Sequence, residues 1–464
     1  MELDITKRRR LVNDLTLEIL KASRPSHREV HVVSEGDQSQ LFVVDGSRLY
    51  ELDGATLLEM RQAMGCGSPA VAELLNDLGV EAWPTIPVPA DDPPVRALSL
   101  AVAQKCNLGC AYCYAEQGGF GEPPKDMPIS TSLDSVRLLL EETTSGDHVN
   151  LAFMGGEPLR NRSVLQETTL FAAAEAAQRG VTIGFSVTTN GTLLTKEDAD
   201  FFEDHGFAVT VSLDGLQPEH DRLRPFVGGA GSYDLIMRRI QPLLERQRRM
   251  QVSARVTVTP FNSGLRRVLD NFVANGFHSV GFSPLLHAPN GKNEMDTPEL
   301  KHMLAEMIDC GLAYEEHELR GLRYPFLNMI NALEELERGT HRPYPCGAGV
   351  GYFGVSADGD LAACHRFVGN KDVGFGSVAG GVDMARRRIW LQERHVGQQL
   401  PCNQCWARYL CGGGCHHEVL ARGRSACEYI RGWLHYTIQA YARLRRLQSR
   451  ANVLEDPREQ RFDR

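Results

Sequence analysis

Three cysteines within eight residues constrain this chain more than any other feature. In Cys106-Asn107-Leu108-Gly109-Cys110-Ala111-Tyr112-Cys113 the thiols are spaced by three residues and then by two. The loop follows directly on residues 96–104 (RALSLAVAQ), whose alternation predicts a β-strand. Three thiolates on one short loop can hold three irons of a cubane cluster and leave the fourth iron open. The plain alternative is a zinc knuckle or chance clustering. Zinc sites usually pair cysteines as CxxC and need a fourth ligand, and none is adjacent here.

The rest of the composition sets bounds. A chain of 464 residues predicts two to four domains and is ample for a sizeable core. A net charge of −9 disfavours wholesale nucleic-acid binding. The charged start MELDITKRRR lacks the apolar segment of a signal peptide, and no apolar run reaches membrane-spanning length. The expectation is a cytoplasmic protein with no membrane partner. Twelve cysteines in such a setting argue for metal ligation over disulfides. Ten of them fall into two groups, leaving Cys66 and Cys310 apart.

Residues 6–22 predict a helix with Leu11, Val12, Leu15 and Ile19 on one face. Short β-like runs at 31–33, 40–44 and 48–52 follow, with Asp45-Gly46 as a hairpin signal. Two short helices come next, 54–64 and 69–78. Ser68 reads as the N-cap of the second, and Cys66, between them, as an ordinary buried thiol. Residues 82–95 are rich in proline and read as a linker.

Beyond residue 96 strand and helix alternate. The strands are expected at 98–104, 148–154, 182–189, 208–214, 252–259 and 279–285, with helices between them. Six strands joined in this way imply a parallel sheet with right-handed crossovers, two short of a closed eight-unit barrel. Functional groups in such folds sit at the C-terminal strand ends. Thr297 as N-cap and Pro298 as first helical residue start a helix over 297–319, which holds Cys310 as a packed thiol. Further helices are expected at 326–338 and 429–451.

The strand ends carry motifs. Gly155-Gly156-Glu157-Pro158 ends the second strand; its glycines allow close backbone approach to a ligand, and its carboxylate can pair with an ammonium group. The third strand runs into Asn190 and the fourth into Ser212-Leu213-Asp214-Gly215. Arg224 stands twelve residues after Ser212, beyond His220-Asp221, and Leu285 ends the sixth strand. Each of these has an ordinary turn or strand-end reading taken singly.

In this order, behind the three-cysteine loop, the set resembles the radical S-adenosylmethionine (SAM) enzymes. The resemblance implies an α/β fold, a partial (β/α)6 barrel. It implies an SAM-binding [4Fe-4S] cluster on Cys106, Cys110 and Cys113. Gly155, Gly156 and Glu157 would hold the methionine amino group, and Ser212 and Arg224 the ribose and carboxylate. Tyr112 and Leu285 would lie against adenine, and Asn190 would add a polar contact. The chemistry implied is one-electron cleavage of SAM, followed by hydrogen-atom abstraction from an unreactive carbon.

The second cysteine group is Cys346, Cys364, Cys402, Cys405, Cys411, Cys415 and Cys427, with a hairpin turn expected at Ala357-Asp358-Gly359-Asp360. Seven is odd for disulfides, and one short of two tetrahedral zinc sites. The pattern is similar to the SPASM domain, which carries two auxiliary [4Fe-4S] clusters. That likeness assigns Cys402, Cys405, Cys411 and Cys427 to one cluster and Cys346, Cys364 and Cys415 to the other. Some relatives have a further cysteine six residues after the first. Here that position is Tyr352, which implies an open or non-cysteine site on the first auxiliary cluster, suited to a substrate thiolate.

These likenesses imply four regions: a winged-helix-like peptide-recognition module (1–81), the linker (82–95), the radical SAM partial barrel (96–320) and the SPASM domain with its last helix (321–464). A structural extension is an equal reading of the first. The expected partners are a cysteine-rich peptide or small protein with a leader segment, and an electron donor such as flavodoxin or ferredoxin.

Three functions compete. The first is a thioether-forming peptide maturase. Within that class the chain looks most like the maturation proteins of quinohemoprotein amine dehydrogenase, which implies cysteine-to-Asp/Glu carbon cross-links in that enzyme's small subunit. The second is a formylglycine-forming sulfatase-maturing enzyme. Those carry an aspartate base directly after the second cysteine of the first auxiliary cluster, where this chain has His365. The third is a non-catalytic iron–sulfur electron carrier, which needs no SAM pocket. Asp214, Asp221 and His365 are the candidate bases by position.

Overall fold

The computed structural model describes residues 5–455 apart from 82, 83, 85, 90 and 91, so part of the expected linker lies outside the described residues. The helix Ile5–Ala22 buries Val12 and Ile19 against the long helices Thr297–Glu318 and Cys427–Glu455. An antiparallel sheet follows, with Gln38–Val43 between Val30–Glu35 and Arg48–Leu52. Alternating residues face opposite sides of a strand. Val30, Leu41 and Val43 therefore meet Met60 and Val71 of the helices Gly54–Cys66 and Ser68–Asp77. Val33, Phe42 and Val44 meet Trp406, Tyr409, Leu410 and Ile438 of the cysteine-rich region.

Three local expectations need correction. Ser68 does not cap its helix. Gly67, at φ +101°, takes the N-cap position, Ser68 is already helical, and its hydroxyl donates to Glu29 at 2.9 Å. Cys66 is exposed, not buried. Its helix buries Met60, and six residues at 3.6 per turn carry Cys66 well off that face. Similarly, Asp296 rather than Thr297 is the N-cap of the helix Thr297–Glu318, and its N–H donates to Glu299 at 3.1 Å.

The six expected strands form a parallel sheet in sequence order: Ala97–Gln104, His148–Gly155, Thr182–Thr189, Ala208–Ser212, Gln251–Val258 and Ser279–Pro284. Helices cross between them, as near-continuous apolar strands demand. Leu98, Leu100 and Val102 of the first strand are fully buried. The fold is thus α/β with a partial barrel.

The sheet does not stop at the first strand. Tyr352–Val355 pairs parallel to it on its other side, with Phe353 opposite Leu98. Asp360–Ala362, Gly374–Ser377 and Gly381–Val382 continue the sheet antiparallel. The turn at 356–360 is the expected hairpin, with Gly359 at φ +91°. Among the described residues no helix is long and apolar enough to cross a membrane.

Candidate active site and cysteine groups

The three-cysteine loop leaves the C-terminal end of the first barrel strand and is tied down from several sides. The N–H of Gly109 donates to Pro225 O at 2.8 Å, and Leu108 bridges to Phe226. Asn190 donates to Asn107 Oδ1 at 2.9 Å and lies 3.6 Å from the sulfur of Cys106. Asn107 in turn donates to Thr192 at 2.8 Å, and Asn290 closes the loop by donating to Ala111 O at 2.7 Å. Burial pushes the Cys110 thiol up to about 12 and the Cys106 thiol upward as well. Such thiols stay protonated at neutral pH unless a cationic centre takes the place of the proton.

Arg224 is the electrostatic centre of the site. Its Nη1 donates to the Tyr112 hydroxyl at 2.8 Å and lies 3.6 Å from the buried Asp214 carboxylate. The Tyr112 hydroxyl donates to Asp214. Burial raises the Asp214 carboxyl, and the Arg224 charge opposes that rise. The Nε of Arg224 is buried without a hydrogen-bond partner. Beside it, Tyr112, Leu223, Leu285 and Ala288 form a small apolar cluster separate from the main core.

Glu157 is fully buried. It accepts from Thr189 Oγ1 and Asn190 N at 2.7 Å each, and from Leu159 N at 3.1 Å. A carboxylate has room for about four donors, so one acceptor position remains. The glycines before it serve the protein's own packing. A Cβ on Gly155 would stand 2.4 Å from Ala103 O, and one on Gly156 would stand 2.4 Å from Lys105 O and 2.8 Å from Gly118 Cα. Ser212 ends its strand half-buried.

The candidate bases separate. Asp221 accepts from the backbone N–H groups of Ser232 and Tyr233 at 2.8 and 2.9 Å, and so fixes a helix start. Asp214 is held by Tyr112, Arg224 and the N–H of Thr257. His365 shares a 2.8 Å hydrogen bond between its Nδ1 and the Tyr352 hydroxyl, and Tyr352 also meets Ser99 at 2.8 Å. Burial lowers the His365 imidazole to about 3.

The seven later cysteines gather into two sets. Cys346, Cys364 and Cys415 lie within electrostatic reach of one another, and burial pushes Cys364 up to about 12. Cys402, Cys405, Cys411 and Cys427 line one cavity of about 80 Å³ together with Cys415, Arg424 and Arg431. Burial pushes Cys402 up to about 12 and Cys411 to about 11. None of the twelve cysteines is in a disulfide. Among the described residues no three His, Cys, Asp or Glu side chains draw together tightly enough for one metal ion.

Sequence reasoning missed the bridge between the first and second sets. The ring of Tyr114, directly after Cys113, stands 5.8 Å from that of His365, directly after Cys364. Arg366 covers the Tyr114 ring at 5.3 Å and pairs with Glu418 at 2.8 Å. The position of Tyr114 next to a thiol was the available signal.

A model of the radical SAM superfamily matches residues 100–264. That match spans the three-cysteine loop, the GGEP motif, Ser212 and Arg224. The serine-type anaerobic sulfatase-maturating enzyme of Klebsiella aerogenes is 25% identical over 351 residues, covering 73% of this chain and 83% of the relative. The cysteine-type enzyme of Clostridium perfringens is 25% identical over 369 residues, covering 75% and 95%. Among solved structures, native anSMEcpe with bound AdoMet superposes with a TM-score of 0.64 at 19% identity, covering 76% of this chain and 99% of that one. Streptococcus suis SuiB bound to precursor peptide SuiA gives 0.50 at 14%, covering 85% and 96%. These two share the radical SAM fold of this chain.

Proposed function

We propose that this protein is a radical SAM enzyme that modifies a peptide or small protein. Cys106, Cys110 and Cys113 would hold the SAM-binding cluster. Cys346, Cys364 and Cys415 would hold one auxiliary cluster, and Cys402, Cys405, Cys411 and Cys427 the other. The gathering of ten cysteines into these three sets is the observation that carries the reading. When bound, the cluster and SAM supply one-electron sulfonium cleavage and hydrogen-atom abstraction from an unreactive carbon.

The chain's own residues fit that task. The unpartnered Nε of Arg224 offers a buried donor for a carboxylate. Glu157 keeps an acceptor position for an ammonium group. Tyr112, Leu223 and Leu285 supply a dry wall for a base ring, and Ser212 a hydroxyl for a ribose. Tyr352 fills the position of the further cysteine. Its hydroxyl is engaged by Ser99 and His365, which leaves one corner of the first auxiliary cluster for a substrate thiolate. The strand Arg48–Leu52 stands at the edge of the N-terminal sheet, where a leader segment can add as a further strand. SuiB, which was solved with its precursor peptide, supports a peptide substrate. A flavodoxin or ferredoxin would supply electrons.

Two finer readings divide the support. The curated relatives favour formylglycine formation. The N-terminal sheet, and His365 where that class carries an aspartate, favour thioether formation. Anaerobic reconstitution with a small cysteine-rich protein and reductant separates them. Thioether formation gives loss of two hydrogens per link, a blocked thiol and no aldehyde. Formylglycine gives a product that reacts with hydrazide. Failure to release deoxyadenosine rejects both.

A further inference from the structure

The two auxiliary cysteine sets differ in the charges that face them. Near the set of Cys346, Cys364 and Cys415 the cations are matched by carboxylates. Arg366 pairs with Glu418 at 2.8 Å, and Arg342 pairs with Glu335 at 3.2 Å. Around the other set the balance is different. Arg424 and Arg431 line the cavity with Cys402, Cys405, Cys411 and Cys427, and Glu418 on the same wall is taken by Arg366. Arg424 donates to the neutral acceptors Gly413 O and Gln399 Oε1 at 2.6 Å each. The Nε of Arg431 is buried without a partner, as are Nε and Nη1 of the neighbouring Arg394; Arg342 and Arg366 also leave Nε unpartnered, so what separates the two sets is the carboxylate on their other nitrogens. Among the described residues none of the three lies within ion-pair distance of a carboxylate. Arg408, also on the cavity wall, is neutralised by Asp45 at 2.8 Å.

An iron–sulfur cluster grows more negative with each electron it takes up, and its potential follows local charge and hydrogen bonding to its sulfurs. Unmatched guanidinium groups in a half-buried cavity stabilise the reduced form more than matched ones do.

We propose that Arg424 and Arg431 raise the reduction potential of the cluster held by Cys402, Cys405, Cys411 and Cys427 above that of the cluster held by Cys346, Cys364 and Cys415. This rests on the cluster assignment proposed above. Each cluster cycles through one electron exchanged with an added dithionite-poised mediator, with no bond made or broken.

The test is potentiometry followed by electron paramagnetic resonance on the anaerobically reconstituted full chain, with iron and sulfide counted in parallel. A Cys402→Ala variant identifies, by its loss, the signal of the second auxiliary cluster, and Cys346→Ala that of the first. That cluster is expected to titrate at the higher potential. Arg431→Lys is expected to stay near the parent, while Arg431→Gln and Arg431→Glu shift it progressively negative with iron content and the other two signals unmoved. Arg424→Gln is expected to shift it in the same direction. An unchanged potential in Arg431→Gln and Arg431→Glu at full iron content overturns the proposal, as does a parent protein in which the order of the two clusters is reversed. Absence of iron at this cysteine set, with the SAM-binding cluster present, overturns the cluster assignment as well.

Discussion

Arg224 shows how much one side chain can carry. It stands between a buried carboxylate and a buried phenol, with one guanidinium nitrogen left over. Arg224→Gln removes the charge that faces Asp214, and breaking a buried pair in this way costs roughly 3–5 kcal/mol. It also removes the donor assigned to the SAM carboxylate, so calorimetric SAM affinity is expected to fall roughly 10–100-fold with cluster iron retained. Unchanged affinity would remove Arg224 from the pocket. Gly156→Ala tests a different demand. Its new Cβ meets backbone on two sides, at Lys105 and Gly118, which no rotamer change relieves. The expected outcome is loss of iron from the first cysteine set together with a lower melting temperature. Near-normal loading would show that the Cys106 loop can yield. The GGEP motif was readable in the sequence, but the packing demand on its two glycines was not. The atoms that crowd Gly155 and Gly156 come from the end of the first strand at Ala103 and from Lys105 and Gly118 beyond it, some fifty and forty residues earlier.

At the scale of elements, the N-terminal sheet and the loop from Cys405 to Arg408 hold each other. Trp406 is fully buried, stacks on His31 at 3.8 Å between ring centres and donates to Ser23 O at 2.8 Å. Arg408 reaches from the same loop to Asp45 in the hairpin turn. Trp406→Ala is expected to cost roughly 3–5 kcal/mol and to expose the N-terminal sheet to limited proteolysis. Resistance equal to the parent would show that the sheet docks without it. His31 and His435 share a 2.9 Å hydrogen bond beside Trp406, and burial lowers both imidazoles, His435 to about 4. The unfolded chain takes up protons below about pH 6.5, whereas folded His435 resists until about pH 4 and burial holds His31 well below its ordinary range. The contribution of this pair to stability is therefore flat above pH 6.5 and declines as the pH falls through that window. His435→Gln is expected to flatten the decline in denaturant titrations, and an equal slope would place its origin elsewhere. Local elements were legible because their periods are local: the strand Thr182–Thr189 falls at the expected residues, and the other five barrel strands within two. The start of the helix Thr297–Glu318 slipped by one residue because Asp296 caps better than Thr297.

At the scale of the whole molecule, the sheet joins what the sequence suggests are separate regions. Tyr352–Val355 is four residues long and carries no alternation of its own, so nothing local announces that it pairs with a strand some 250 residues earlier. By doing so it covers the edge of Ala97–Gln104, the strand that delivers the three-cysteine loop. The close approach of Gly354 to the backbone of Cys364, where a Cβ would stand 2.6 Å from the Cys364 carbonyl carbon, fixes the first auxiliary set to the same sheet. A chain ended after Thr340 keeps every residue of the radical SAM match at 100–264. It nevertheless leaves residues 97–100 of a buried apolar strand unpaired on that edge, which is a template for association. It also strips the helix Cys427–Glu455 from Ile5–Ala22 and Thr297–Glu318. The expected result is an aggregated fragment that fails to retain iron, whereas the full chain loses its barrel and cysteine-rich signals in one cooperative transition. Size-exclusion chromatography and iron analysis of the fragment, beside denaturant unfolding of the full chain, check both. A monomeric fragment that binds its cluster would show that the barrel stands alone, and that the shared sheet is an addition to it and not a condition of its folding.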